Sequence, residues 1–198
     1  MHTNFSIAKN GKNLFYDKKG VNYLSNFGWK IIKKILSSAN DICLILNSSV
    51  NAYRRLDPHF EAPNEIKVSP TDRGAMIRIP IFNEKSARIE IRSVGPDANP
   101  YLLFYTIIRT ALEGKIIEQD KNKRFRTSFL PSTIYGAVNH FKSSDFISKI
   151  LGEELKRKYL DLKQNVANRS PADLGIRVKN GEVWYHHEVY NQIIWNYF

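Results

Sequence analysis

The sequence has one cysteine, no long apolar run and comparatively few acidic side chains. Cys43 has no second cysteine to pair with, which suits a reducing compartment. No window approaches the roughly 18 consecutive apolar residues that a membrane-spanning helix requires. The first residues also lack the basic stretch and long apolar run that mark a secretory signal. We therefore expect a cytoplasmic protein with no membrane partner.

Acidic residues number 19 against 30 lysines and arginines, which gives a formal net charge of +11. Such an excess suits a solvated basic surface or an anionic partner, such as nucleic acid, a membrane surface or nucleotide phosphates. The charge is spread along the chain apart from a cluster at residues 121–126, and no nucleic-acid recognition motif accompanies it. A basic nucleic-acid-binding module is therefore only a remote alternative.

Local patterns predict both helices and strands, and 42% hydrophobic residues suffice for a packed core. Asn10 and Gly11 between alternating apolar residues predict a hairpin with a type I′ turn, whose arms include Phe5. Apolar residues at three- and four-residue spacing over residues 24–39 predict a helix with Ser25 as its N-cap. Further helices are expected at residues 100–113, 131–141, 144–151, 153–166 and near 182–197.

Residues 57–74 are predicted to be irregular because three prolines interrupt regular structure there. A long loop of this kind is usually either functional or mobile. The charged residues assigned to this loop are Arg54, Arg55, Glu61 and Arg73. They directly precede the next pair of strands, so the loop and the strands could form one charged site. Disorder is expected at residues 170–179.

Two strands, Ala75–Ile81 and Ala87–Ser93, are predicted to form a hairpin with one apolar face, because side chains alternate along a strand. The opposite face is expected to carry Met76, Arg78, Arg88, Glu90 and Arg92. One interpretation is a solvent-facing sheet whose Arg–Glu pairs each contribute less than about 1 kcal/mol. The other is an anion-binding floor, in which guanidinium groups bind carboxylates or phosphates and Glu90 holds a cation such as Mg²⁺.

The sequence contains four ordered motifs: MH at residues 1–2 with GKNLFYD at 11–17, NAYRRL at 51–56 with EAP at 61–63, DRGAMIRIP at 72–80, and RIEIR at 88–92 with DANPYL at 97–102. Together these motifs resemble those of the glutamine synthetase family. The strong resemblance covers residues 1 to about 114, and the later residues are similar only loosely. The resemblance implies ATP-dependent ligation of ammonia or another amine to the γ-carboxylate of glutamate, through a γ-glutamyl phosphate.

The resemblance also implies a role for individual residues. The metal ligands, for Mg²⁺ or Mn²⁺, are His2 and Glu90. The glutamate-binding residues are Arg55, Glu61 and Arg92. The ATP-binding residues are Ser6, Arg73, Arg78, Lys85 and Arg88. The catalytic residues are Arg73, which stabilises the transferring phosphoryl group, and Glu61, on a flap that shields the γ-glutamyl phosphate from water.

For the fold, the resemblance implies an α+β class with a curved antiparallel sheet and packed helices. Residues 1–198 are similar to the C-terminal part of the catalytic domain, with a motif-bearing part at 1–114 and a helical part at 115–198. The N-terminal β-grasp-like domain, the third ligand of the His2 metal and the carboxylates of a second metal site are not recognisable. Asn4 and His59 stand where the family usually has histidine and glycine.

Three hypotheses follow from these residues. The first is a ligase fragment that carries part of an active site, with ammonia or a polyamine as the amine acceptor. The second is a non-catalytic interaction protein on the same scaffold. The third is the nucleic-acid-binding module. Self-association, or association with a missing N-terminal half, is expected because a partial domain exposes core edges.

Overall fold

The computed structural model describes residues 1–56, 62–80, 83–117 and 127–168, which form a mixed α+β structure. The strands are β1 (Thr3–Phe5), β2 (Ala8–Lys9), β3 (Lys12–Asn13), β4 (Glu65–Ser69), β5 (Ala75–Arg78) and β6 (Ile89–Ile91). The helices are α1 (Asn26–Ser37), α2 (Ala39–Leu46), α3 (Val50–Arg55), α4 (Pro100–Glu113), α5 (Ile134–Ser143), α6 (Asp145–Leu151) and α7 (Glu153–Asn168). A short 3₁₀ helix, Val21–Tyr23, precedes α1.

The main sheet has the strand order β1-β6-β5-β4. β6 pairs antiparallel with both β1 and β5, with Glu90 opposite Asn4 on one side and Arg78 on the other. The predicted hairpin of β5 and β6 is therefore confirmed, although both strands are shorter than expected. This register brings residues from three strands to one point on the sheet.

The prediction of irregular structure throughout residues 57–74 is wrong, because Glu65–Ser69 forms β4. Pro63 and Pro70 flank this segment rather than interrupt it, so its amide groups are free to pair. β4 runs parallel to β5, so the expectation of an entirely antiparallel sheet is also wrong. On its other side β4 pairs with residues 128–130, which cover the edge of the sheet. The curvature of the sheet stays a prediction.

The N-terminal hairpin is confirmed, but it is smaller than predicted. Asn10 and Gly11 have φ angles of 51° and 76°, as a type I′ turn requires at both central residues. The ladder joins Ala8–Lys9 to Lys12–Asn13. Phe5 belongs instead to β1 and pairs with Ile89 in the main sheet. The first residues of the chain therefore lie beside β6.

Four of the described helices, α1, α4, α5 and α6, begin at a residue whose side chain accepts from their first amides. The predicted N-cap of α1 is confirmed, since the Gly28 amide donates to Ser25 Oγ at 3.2 Å. Asn99 Oδ1 accepts in the same way from the first amides of α4. The helix predicted from residue 131 begins only at Ile134, after the N-cap Thr133. The disorder predicted at residues 170–179 and the helix predicted near 182–197 lie outside the described residues.

The core lies between the apolar face of the sheet and the helices. Ile77, Ile89 and Ile91 are fully buried, as the alternation predicts, and they belong to one cluster with residues of α1, α2, α4 and α5. Met76 was expected on the charged face, but it is also fully buried. Backbone pairing continues one residue past β6 here, because the Arg92 amide donates to the Met76 carbonyl. Among the described helices, none has the length and hydropathy needed to cross a bilayer.

Candidate active site: a charged face around Glu90

Glu90 is the centre of the charged face, and the structure confirms that Arg78 projects to the same point. The Glu90 residue is only 6% exposed, although it lies on the face predicted to be polar. Its Oε1 lies 2.6 Å from His2 Nδ1, and its Oε2 accepts from Arg78 Nε. A buried carboxylate is stable when it is paired in this way.

The charge state of this group follows from its contacts. Burial by itself would raise the pKa of Glu90, but the hydrogen bond and charge of Arg78, together with His2, outweigh it and hold the pKa below its usual value. Burial lowers the pKa of His2 despite the attraction of Glu90, and the positive charge of Arg92 adds to that. At neutral pH the imidazole is therefore neutral. Its Nδ1–H donates to Glu90, so its Nε2 carries the free lone pair.

Arg92 joins β6 to the turn that carries Arg73. Its Nη1 donates to the Arg73 carbonyl at 2.8 Å and to the Asp72 carbonyl at 3.3 Å. The Asp72 carboxylate in turn contacts Lys67 Nζ at 2.7 Å and accepts from the Gly74 amide at 2.7 Å. The hydrogen bonds of Lys67 and of the Gly74 amide hold the pKa of Asp72 below its usual value. The backbone of Arg73 is thus fixed beside the strand end that carries Arg92.

Arg55 lies on α3, so its assignment to an irregular loop is wrong, and the backbone of Arg54 belongs to the same helix. The half-buried Arg55 guanidinium donates from Nη1 to the Val94 carbonyl at 3.0 Å and from Nη2 to the Arg92 carbonyl at 2.8 Å. Burial and the charge of Arg92 lower its pKa. Arg55 therefore ties α3 to the chain just after β6.

The remaining predicted residues lie further along the same strands. Arg88 donates from Nε to Asn4 Oδ1 at 2.9 Å, and from Nη1 to the Ser86 carbonyl at 3.1 Å. Ser6 follows β1 and Lys85 lies in the turn before β6, and both are exposed. Glu61 lies outside the described residues. The structure thus brings His2 and Arg78 into contact with Glu90, whereas Arg92 bonds to the turn of Arg73 and Arg88 is held at the side by Asn4.

Sequence reasoning missed Glu65 and Lys67, which fix the turn before Arg73. Lys67 Nζ lies 2.6 Å from Glu65 Oε2 as well as contacting Asp72. These two charged residues alternate with Ile66 and Val68, a pattern that is typical of a strand. The pattern was not used because the neighbouring prolines favour irregular structure there.

The donors fit a divalent cation only in part. His2 and Glu90 offer an imidazole nitrogen and carboxylate oxygens, which suit Mg²⁺ or Mn²⁺. Across residues 1–56, 62–80, 83–117 and 127–168, however, His, Cys, Asp and Glu side chains form no cluster of three or more that could hold a metal. The described residues therefore supply two ligands of such a site and need further donors to complete it.

A buried carboxylate paired with an arginine, with further arginines on the same strands, is chemically suited to a site that handles carboxylate and phosphate groups. A comparison of the sequence with known protein families shows to which family the chain belongs. The family described as "Glutamine synthetase, catalytic domain" matches residues 1–173. The chain therefore belongs to the glutamine synthetase family, a family of ligases.

Individual relatives agree with the family match. The chain is 33% identical over 180 residues to a glutamine synthetase of Methanosarcina mazei, which covers 83% of the chain and 40% of that protein. It is 31% identical over 176 residues to one of Clostridium saccharobutylicum, covering 81% of the chain and 40% of that protein. A Staphylococcus aureus glutamine synthetase is 32% identical over 178 residues. The chain thus spans about 40% of the length of these relatives.

Proposed function

We propose that this chain supplies one part of the active site of a glutamate–ammonia ligase. The reaction would join ammonia to the γ-carboxylate of glutamate, with ATP consumed through a γ-glutamyl phosphate. The observation that carries the proposal is the contact of His2 and Arg78 with the buried Glu90, in a chain of this family. A face of this kind suits reactants that are all anionic.

Glu90 and His2 are the residues that would hold Mg²⁺ or Mn²⁺. Their side chains lie in contact, with His2 Nδ1 2.6 Å from Glu90 Oε1, so the two residues are close enough to serve as ligands of one ion. Such an ion supplies charge neutralisation for phosphate oxygens. Arg78, which already holds Glu90 Oε2, keeps the carboxylate oriented and in its charged form.

Arg73 is the residue we assign to the transferring phosphoryl group. Phosphoryl transfer depends mainly on positioning and charge stabilisation, and guanidinium groups serve both. The turn of Arg73 is fixed by Arg92 and by the contact of Lys67 with Asp72. That fixed backbone supports the assignment, because it limits the region that the Arg73 side chain can reach.

The other predicted residues divide between the two substrates. We assign the glutamate carboxylate to the N–H groups of Arg92 that do not face the Asp72 and Arg73 carbonyls, with Arg55 holding the adjacent backbone. The nucleotide is assigned to Arg78, Arg88, Lys85 and Ser6. Glu61 is assigned to a segment that excludes water from the activated glutamate.

The site requires donors that the described residues do not provide, since they supply only two metal ligands. More than half of each relative's length lies outside the segment matched here. We propose that this further part of the catalytic domain contributes the remaining ligands. Glutamate, ATP and ammonia are then the substrates, with ammonia favoured over a polyamine because the matched relatives are glutamine synthetases.

The test is release of ADP from ATP by the full chain, with Mn²⁺, glutamate and ammonia. It is made with and without a co-expressed polypeptide that comprises the part of the M. mazei protein outside the matched segment. We expect no glutamate-dependent release from the chain alone and clear release from the complex. Arg73→Ala should lower that release by about 100-fold or more, whereas Lys12→Ala, in the exposed hairpin, should leave it unchanged.

Two outcomes would contradict the proposal. Release by the complex that does not depend on glutamate would mean another acceptor substrate. A stable complex that binds Mn²⁺ and ATP but releases no ADP would favour the non-catalytic interaction protein. Replacing ammonia with putrescine in the same assay tests the choice of amine.

A further inference from the structure

α4 exposes an apolar face that is unusual for a helix of a folded domain. The residues of this face, which we call the α4 stripe, are Tyr101, Phe104, Tyr105, Ile108 and Leu112. Their spacing of three and four places them on one side of the helix, and exposure reaches 85% at Tyr101 and 60% at Leu112. The opposite side of α4 already packs into the core. The helix is therefore apolar on two sides, of which the described structure covers one.

The stripe is held in place at its C-terminal end. Lys34 Nζ, on α1, donates to the carbonyls of Ala111 and Leu112 at 3.1 and 2.8 Å. The Ile117 amide, shortly after the helix, donates to Ser37 Oγ on α1 at 3.0 Å. A rigid surface loses little entropy when a partner binds. A large exposed apolar patch of this kind marks an interaction site.

What covers the stripe follows from the extent of the family match. The segment shared with the family ends at residue 173, and α4 lies well inside it. More than half of the M. mazei relative lies outside its matched segment. Under the proposed function, the charged face around Glu90 also requires metal donors beyond the two that the described residues supply. One partner, the rest of the catalytic domain, would meet both needs.

We infer that the α4 stripe binds the part of the glutamine synthetase polypeptide that lies outside the segment matched by this chain. The inference rests on the proposed function for the identity of the partner, but it concerns a different surface. The experiments below must therefore exclude three other occupants of the stripe: a second copy of this chain, a lipid surface, and residues 169–198 of the chain itself.

The first test measures binding without measuring turnover. The full chain is co-expressed with the complementary part of the M. mazei protein, and the amount recovered with a tag on that part is determined. Ile108→Glu and Leu112→Glu should lower recovery about tenfold or more, because a charge cannot be buried unpaired. Leu162→Glu, at a position of α7 with a similar exposure of 56%, is the matched control and should leave recovery unchanged.

Because all three positions are exposed, none of these substitutions should alter the thermal midpoint of the isolated chain, which circular dichroism checks. Three results would each overturn the inference. They are an equal loss of recovery in all three variants, no loss of recovery in either α4 variant, and no complex with the wild-type chain. A wild-type homodimer that Leu112→Glu converts to monomer, with binding to the complementary part unchanged, would assign the stripe to a second copy.

The second test measures coverage directly, by maleimide labelling of Leu112→Cys. Burial raises the pKa of the native Cys43 thiol to about 12, so that residue does not compete. We expect fast labelling in the isolated chain and at least about tenfold slower labelling in the complex, with Leu162→Cys fast in both. Unchanged labelling in the complex would contradict the inference. Slow labelling of the isolated chain that becomes fast when residues 169–198 are removed would assign the stripe to that segment and contradict the inference. Labelling that is slowed by anionic vesicles but not by the complementary part would assign the stripe to a lipid surface and also contradict it.

These outcomes separate the two proposals. A complex that depends on the α4 stripe but shows no glutamate-dependent ADP release supports the interface and rejects the proposed function. A complex with full turnover that is indifferent to both α4 substitutions supports the function and rejects the interface.

Discussion

The charged face around Glu90 and the α4 stripe differ in how far the chain satisfies their groups by itself. Around Glu90, a buried carboxylate is paired with both Arg78 and His2, and Arg92 is held by backbone carbonyls. The α4 stripe presents five large apolar side chains to solvent. In the first region the buried charge is paired within the chain, although the described residues supply only two metal ligands. In the second region the apolar side chains are not covered by the described residues.

The largest effect should come from the core behind the charged face. Ile91 is fully buried in the strand between β1 and β5. Ile91→Ala should lower the free energy of unfolding by about 3 kcal/mol, because a cavity remains in the core. Ile108→Ala, on the α4 stripe, should change it by less than about 0.5 kcal/mol. Urea denaturation of the isolated chain measures both, and equal losses would mean that the stripe is covered within the chain.

A smaller effect should follow from unpairing the charged face. Glu90→Gln removes the charge that Arg78 and His2 share, and should cost about 1–2 kcal/mol, since both partners are partly exposed and screened. Glu84→Gln in the exposed turn is the control and should change stability by less than about 0.5 kcal/mol. Equal stability of the two variants in urea would show that the pairs around Glu90 contribute nothing measurable.

Next in size is the tie that holds the end of the α4 stripe. Lys34→Met removes the two hydrogen bonds to the C-terminal carbonyls of α4 and should lower the free energy of unfolding by about 1 kcal/mol. Lys30→Met, at an exposed position on the same helix, should have no measurable effect. Hydrogen exchange of the amides at residues 111–117 should quicken only in the first variant. Unchanged exchange there would mean that the stripe is held by other contacts.

The smallest effect concerns pH and the turn before Arg73. The pKa of Asp72 is lowered in the folded state, so its contribution to stability is present above the unfolded value of about 3.9. That contribution is lost as the pH falls through the lower folded pKa. Lys67→Met should reduce it, because only the Gly74 amide then donates to the carboxylate, so the variant should lose less stability than wild type between about pH 5 and pH 3. Parallel pH profiles of thermal midpoint for the two proteins would contradict this.

Features governed by neighbours in the sequence were predictable. The Ser25 cap, the turn at Asn10 and Gly11, and the meeting of Arg78 with Glu90 each depend on local spacing or on one hairpin register. The predicted face of Met76 failed because burial there is set by tertiary packing.

Features governed by distant pairing were not predictable. β4 is defined by its pairing with β5 and with residues 128–130, and β1 by its pairing with β6, so no local pattern specified either partner. Arg55 was correctly singled out, but its hydrogen bonds to the carbonyls of Arg92 and Val94 depend on where α3 packs. The α4 stripe was missed because its apolar spacing is the same as that of a buried helix.

The most direct test of the account is glutamate-dependent ADP release by the complex of this chain with the complementary part of the M. mazei protein, compared between Glu90→Gln and Glu84→Gln. If Glu90 is the carboxylate around which the reactants and the metal assemble, the first variant should lose about 100-fold or more of the activity, with the complex still formed, and the second should match wild type. Equal turnover by the two variants would contradict the assignment of this face as the active site.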